Sequence, residues 1–238
     1  MEKTWTALVC ALVLMPGAQA VAQARTAQRP VVIELFTSEG CSSCPPADAF
    51  LTELAQNRPG LLPLAFHITY WDGLGWRDPF ALKAATERQR GYARLLGRDS
   101  IFTPEMVVEG SESLVGSDRV KVEAAIRQAE SDHVTAASIR IGRTGDTLTI
   151  DVGRGSGAGT VLLVGFDPLH RTPVSRGENG GRTLTESNIV RSIQPIGEWS
   201  GGALHLQQQL PPGQEYAAIV QASNGQIIGA ARLSENPS

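Results

Sequence analysis

Between a run of strand-forming residues and a proline-led helix the chain reads SEGCSSCPPAD, residues 38–48, and this junction restricts the fold more than any other stretch. The residues before it, Val31 to Phe36, are β-branched or apolar and too few for a helix, so they read as a buried strand. After it, Pro45 and Pro46 suit a first helical turn, Phe50, Leu51, Leu54 and Ala55 recur at helical spacing, and Pro59-Gly60 ends the segment. Cys41 and Cys44 therefore sit where a strand turns into a helix.

Three readings of the pair are open. As a staple it is inefficient, because closing about four residues contributes roughly 2 kcal/mol in the chain-entropy model, against about 3 for fifteen. As a redox pair it is well placed, since exposed N–H groups and the positive end of the helix dipole favour a thiolate at Cys41, with Cys44 one turn in to resolve the mixed disulfide. That reading needs the Cys41 sulfur to be accessible and ionisable. As a metal clamp, the two thiolates with His67 make a soft site for copper(I), or part of one for zinc, although a single histidine on an apolar strand is more often a buried core residue.

The N-terminus bears on the choice. Lys3, an apolar run from Ala7 to Met15, a Pro16-Gly17 break and Ala18-Gln19-Ala20 have the layout of a secretory signal peptide over residues 1–20, with a linker at 21–30. The run is far shorter than the roughly 20 apolar residues of a membrane span, so the expected location is the periplasm or outside the cell. Cleavage removes Cys10 and leaves Cys41 and Cys44 as the remaining cysteines. An oxidising compartment lets a disulfide persist. A formal charge of −3 with no long run of either sign argues against a nucleic-acid partner.

Further along, LLPLAFHIT supplies a second buried strand, YWDGLGWRDPF an aromatic loop, and about Phe80 to Leu96 a helix. Glu105 to Glu109 and Ser113 to Val115 read as a hairpin, and Ser117 as the N-cap of a helix ending near Glu130. Thr103-Pro104 lies just before that hairpin. Strand, Cys-x-x-Cys, helix, strand, helix, Thr-Pro, hairpin, helix is the order of a thioredoxin-like domain, in which a cis-proline at this position packs on the disulfide. Beyond about Asp132 the pattern changes to alternating strands around Thr144-Gly145-Asp146, then TVLLVGF, NIVRSI, ALHLQQQ, YAAIVQAS and QIIGAARL, the last two joined by Asn224-Gly225. The fold class is thus an α/β thioredoxin-like domain over residues 31–132, followed by a mostly antiparallel β-sandwich-like domain over 137–235.

With ELFTSEGCSSCPPAD, YWDGLGWRDPFA, FTPEMVVEG and GENGGRTLTESNIV quoted, the chain resembles the bacterial secreted thioredoxin-like proteins grouped as domain of unknown function 1223, from about Val31 to past Val220. The resemblance supports the fold more than an activity. It also implies an Asp where this chain has Thr69, so that any proton acceptor for the resolving cysteine would have to be Asp72 or Glu34.

The expectation is an exported thiol–disulfide oxidoreductase acting on protein thiols or disulfides with an envelope redox partner and no diffusible cofactor. Cys41 and Cys44 carry the exchange, and Thr103 with Pro104 shapes the groove. Tyr70, Trp71 and Trp76 either cap the core or wall that groove. Arg176, Glu178, Asn179 and Arg182 in SRGENGGR form a plain hairpin loop or a polar recognition loop. The rival is a binding module without turnover that docks on another envelope protein or holds copper.

Overall fold

The computed structural model describes residues 1–2, 29–132 and 136–233; the expected signal peptide, from residue 3 on, and most of the expected linker lie outside them. The first half contains β1 (Val31–Thr37), α1 (Pro45–Asn57), β2 (Leu61–His67), α2 (Lys83–Leu95), β3 (Glu105–Val108), β4 (Glu112–Val115) and α3 (Arg119–Ser131). The second half contains strands only: β5 (Ile139–Thr144), β6 (Thr147–Val152), β7 (Gly159–Pro173), β8 (Thr183–Trp199), β9 (Leu204–Gln209), β10 (Glu215–Gln221) and β11 (Ile227–Arg232). Among the described residues, no helix is long and apolar enough to cross a membrane.

The two halves share one sheet. Its eight strands run β11-β10-β7-β8-β2-β1-β3-β4, and the seam is a parallel pairing of β2 with β8 at Ala65 and Ile189. The β5-β6-β9 strands form a second, three-stranded sheet. The mixed α/β class and the sandwich-like packing are both present, but the sandwich is built on a sheet that continues into the first half.

Alternation along the strands shows how each face is covered. Val32 and Phe36 of β1 join a core with Tyr92 of α2, Val164 of β7 and Ile219 of β10. Val31, Ile33 and Leu35 point the other way, onto Phe50, Leu51 and Leu54 of α1 and Val122 and Ile126 of α3. On that same face, farther along the sheet, Val161 and Leu163 of β7 and Ala218 and Val220 of β10 pack on Leu148 and Ile150 of β6 and on Trp199. Both sides of the central strands are therefore apolar, as their sequences are, and each fully buried large side chain contributes roughly 1.5–3 kcal/mol.

Local details depart from the sequence reading where side chains compete for backbone groups. α2 starts at Lys83 instead of Phe80, because Asp78 Oδ1 accepts from Phe80 N at 2.9 Å, residues 78–81 form a turn, and Leu82 is extended with its N–H on His67 O. The cap of α3 is Asp118, whose carboxylate accepts from Lys121 N, not Ser117. Asn224-Gly225 does turn β10 into β11, with Gly225 at φ 94°.

Candidate functional site

β1 delivers the chain to Ser38, and a tight turn follows in which Cys41 N donates to Ser38 O and Cys44 N to Cys41 O. Cys44 is the N-cap of α1, with proline in the first turn, and it is joined to Cys41 by a disulfide. The Thr103–Pro104 bond is cis. Thr103 Oγ1 donates to Cys41 Sγ at 3.4 Å and accepts from Trp71 Nε1 at 2.8 Å. Pro104 is buried close by: a Cβ placed on Gly116 would stand 3.0 Å from Leu35, 3.2 Å from Ala47 of α1 and 3.4 Å from Pro104. Cys41, Cys44, Thr103, Pro104 and Trp71 thus form one cluster.

Both cysteines are fully buried, at 0% exposure, which corrects the expectation of an accessible Cys41 sulfur. Thr103 Oγ1 and Ser43 Oγ contact the Cys41 sulfur, and the second half of the chain holds the backbone of the turn. Residues 174–182 form the loop between β7 and β8, and its Asn179 is itself fully buried and donates through Nδ2 to Glu39 O and Cys41 O, each at 2.9 Å. The Arg182 guanidinium donates to Asn179 Oδ1 at 2.9 Å, and Glu178 accepts from Ser42 N at 3.0 Å. The aromatic loop packs against this same loop. Gly75 and Gly177 meet backbone to backbone, both at positive φ, and a Cβ on Gly177 would stand only 3.0 Å from Trp76 Cβ.

The aromatic trio is split by its hydrogen bonds. Trp71 reaches Thr103, Trp76 Nε1 donates to Glu39 Oε2 at 2.7 Å, and the Tyr70 hydroxyl donates to Gln89 Oε1 of α2 at 3.2 Å. Burial pushes the Tyr70 phenol up to about 12.

Adjoining this turn is a group of buried ionisable side chains that the sequence reading did not assemble. His67, at the end of β2, bonds Asp78 Oδ2 through Nδ1 at 2.7 Å, and its Nε2 lies 3.7 Å from Glu186 Oε1 of β8, an ion-pair distance longer than a hydrogen bond. Asp78 also accepts from Glu39 N at 2.8 Å. Asp48, one helical turn after Cys44, accepts from Thr37 Oγ1 at 2.6 Å, while its Oδ2 and both Glu186 carboxylate oxygens have no hydrogen-bond partner. Burial raises Asp48 to about 7, with the Thr37 hydrogen bond and the His67 charge pulling against it. Burial likewise lifts Glu186 and Glu39. For His67 burial acts downward, but the charges of Asp78 and Glu186 outweigh it and hold the imidazole up at about 10. Burial would raise Asp78, and the adjacent His67 more than reverses that.

This arrangement bears on two earlier expectations. Both His67 nitrogens face carboxylates, so the ring is not a partner for the two sulfurs, and among the described residues no group of three or more His, Cys, Asp or Glu side chains is disposed to hold a metal ion. Of the two carboxylates expected to replace the missing Asp at position 69, Glu34 is bound bidentately by Arg88 and by the Tyr92 hydroxyl, and Asp72 accepts from Asp78 N. The carboxylate on the inner face of the cysteine helix is Asp48. Its spacing of four from Cys44, in line with Leu51, was readable in CPPADAFL as one helical face. Asn179 and Glu186 gave no such signal, because their partners are far away along the chain.

A family model described as a protein of unknown function, DUF1223, matches residues 32–222, most of the chain, which belongs to that family. Among solved structures, the crystal structure of protein AGR_C_4864 from Agrobacterium tumefaciens is similar with a TM-score of 0.76 and 29% identity, over 89% of this chain and 96% of that one. HBP35 of Porphyromonas gingivalis is similar in fold, with a TM-score of 0.64 at 16% identity over 89% of this chain and 76% of its own. No curated protein matches the chain.

Proposed function

We propose that this member of the DUF1223 family is an exported thiol–disulfide oxidoreductase on a thioredoxin-like scaffold, with Cys41–Cys44 as its redox group and protein thiols or disulfides as substrates. The observation that carries the reading is the setting of the pair: a disulfide at a helix N-terminus, a threonine hydroxyl on Cys41 Sγ beside a cis-proline, and a protonatable Asp48 one turn beyond Cys44.

In the oxidising direction a substrate thiolate attacks Cys41 Sγ, the Cys41–Cys44 bond breaks, and Cys44 leaves with the electron pair. Asp48, held up to about 7 by burial, is the group from which Cys44 takes its proton. A second substrate thiolate then attacks the substrate sulfur of the mixed disulfide and releases Cys41 as a thiolate, which the helix N-terminus stabilises. Two electrons have passed from substrate to enzyme, and the reverse sequence reduces a substrate disulfide. No diffusible cofactor takes part. Since both sulfurs are buried, exchange requires the surroundings of the turn to open, and the loop of residues 174–182, hydrogen-bonded to its backbone, is the segment we assign to that movement.

The test uses the mature protein in insulin-reduction and dithiol-oxidation assays. Turnover in either, abolished in Cys41→Ser, supports the reading; no turnover in both, with Cys41→Ser indistinguishable from wild type, ends it. The complete burial of the two sulfurs favours a second reading, in which the disulfide is a staple inside a non-catalytic envelope binding module. A pair that small thiols reduce only after global unfolding would select that one.

A further inference from the structure

Two hydroxyls reach the Cys41 sulfur, and they are held differently. Ser43 Oγ lies 3.3 Å from Cys41 Sγ on an exposed residue, where it is free to turn toward water. Thr103 Oγ1 lies 3.4 Å from the sulfur and accepts from Trp71 Nε1 at 2.8 Å. An indole N–H only donates. It therefore takes up a lone pair of the Thr103 oxygen, and the hydroxyl hydrogen is left for another acceptor, the Cys41 sulfur.

The indole is itself fixed. Trp71 packs against the core around Phe36, Phe66 and Tyr92, its carbonyl accepts from Leu74 N at 3.0 Å, and a Cβ placed on Gly40, the residue before Cys41, would stand 3.5 Å from Trp71 Cβ. One rival acceptor is present. The Tyr70 phenol interacts with the Thr103 hydroxyl while giving its own hydrogen to Gln89 Oε1, but it is neutral, and a charged acceptor makes a hydrogen bond roughly twice as strong. A thiolate at Cys41 therefore wins the Thr103 hydrogen. It also needs it, because burial of both sulfurs takes away the water that would stabilise the charge.

We propose that Trp71 is a positioning residue for Cys41: its N–H orients and polarises the Thr103 hydroxyl, which then holds the sulfur in its thiolate form once the disulfide is open. An oxygen that already accepts a hydrogen bond is a stronger donor in turn. A better-stabilised thiolate leaves a mixed disulfide faster, so the indole tunes the step that releases Cys41 from substrate. The inference rests on the redox reading given above and names the residue that sets its poise. The ionisable groups around the turn, Glu39, Asp48, His67, Asp78, Glu178 and Glu186, make no hydrogen bond to Cys41 Sγ among the described residues, so the substitutions below leave their contacts in place.

The test is the lower of the two thiol ionisations in the reduced full mature chain, read from thiolate absorbance against pH. Thr103→Val is expected to raise it by about one unit or more, since a hydrogen bond to a charged group is lost. Trp71→Phe, which keeps an aromatic body, should raise it by about half a unit, and Thr103→Ser should stay within about 0.2 unit of wild type. Because Trp71 acts through Thr103, Trp71→Phe should add nothing in the Thr103→Val background. In wild type the Trp71 indole N–H resonance, followed by NMR, should move with the same ionisation, a readout that needs no variant. The proposal is overturned by any of three results: Thr103→Val or Trp71→Phe leaving the value within about 0.2 unit of wild type, Trp71→Phe shifting it equally in the Thr103→Val background, or an indole resonance that stays still through the titration. A chain that unfolds on reduction ends this proposal and the oxidoreductase reading together; a folded reduced chain whose Cys41 ignores these substitutions ends this one alone.

Discussion

Two buried carboxylate networks lie against the central strands, and they are built in opposite ways. Glu34 faces α2 and is satisfied: Arg88 holds it with two bonds, Tyr92 with a third, and Gln221 of β10 ties both partners together. The network next to the cysteine turn sets Glu39, Asp48, Asp78 and Glu186 around one histidine, and leaves Asp48 Oδ2 and both Glu186 oxygens without hydrogen bonds. A balanced buried network specifies packing, whereas an acid-rich one can be tolerated only by holding protons. The imbalance falls beside the disulfide, which takes up protons when it is reduced. The Glu34 network has no such neighbour.

The largest expected effect comes from breaking the balanced network. Arg88→Ala leaves Glu34 buried and unpaired, and denaturant unfolding should show a loss of about 3–5 kcal/mol, with little effect of neutral versus mildly alkaline pH. Next is Asp48→Asn, which keeps an acceptor for Thr37 but removes the titration. Because the folded Asp48 value is raised from 3.8 to about 7, its contribution to stability is present at acid pH and is lost as pH rises from about 4 to about 7. The variant should therefore lose less stability than wild type across that window, and at pH 7 its exchange rate should fall by roughly a hundredfold. A steeper stability loss in Asp48→Asn than in wild type would break the contrast between the two networks.

Asn179→Ala tests the cover over the pair. It deletes two hydrogen bonds to the turn and should cost about 1–3 kcal/mol, while the rate at which a small thiol reduces the disulfide rises. The smallest effect belongs to Glu178→Gln at the exposed edge of the same loop, which should leave the thermal unfolding midpoint unchanged. Equal acceleration in both variants would mean that Asn179 has no special part in the seal.

The same contrast explains what could be read in the chain before its structure. The strand, cysteine turn and helix were legible because Val31–Phe36, Pro45-Pro46 and Leu51 with Leu54 are local patterns, and Asn224-Gly225 marked its hairpin for the same reason. The union of the two halves into one sheet was not, since β2 and β8 meet at a single pair, Ala65 and Ile189, which leaves no periodicity to detect. β7 and β8 also run to 15 and 17 residues, beyond the apolar runs that announced them, because their outer ends alternate with exposed polar residues. For the site, Cys41, Cys44, Thr103 and Pro104 were visible as motifs, and Asp48 was missed although its place on the Cys44–Leu51 face of the helix could have marked it. The hold of Asn179 on the turn and the placement of Glu186 beside His67 arise from chain crossings that no short window contains. The His67 nitrogens face acids introduced by the aromatic loop and by β8, a placement that its position on an apolar strand did not announce.

The reduction potential of the Cys41–Cys44 pair, measured by equilibration of the folded mature protein with glutathione or dithiothreitol buffers, tests the central claim most directly. An exchange pair under a movable loop should equilibrate without unfolding, at a value between about −120 and −270 mV. A value below about −300 mV, reached only when the protein unfolds, is that of a structural disulfide and would contradict the account.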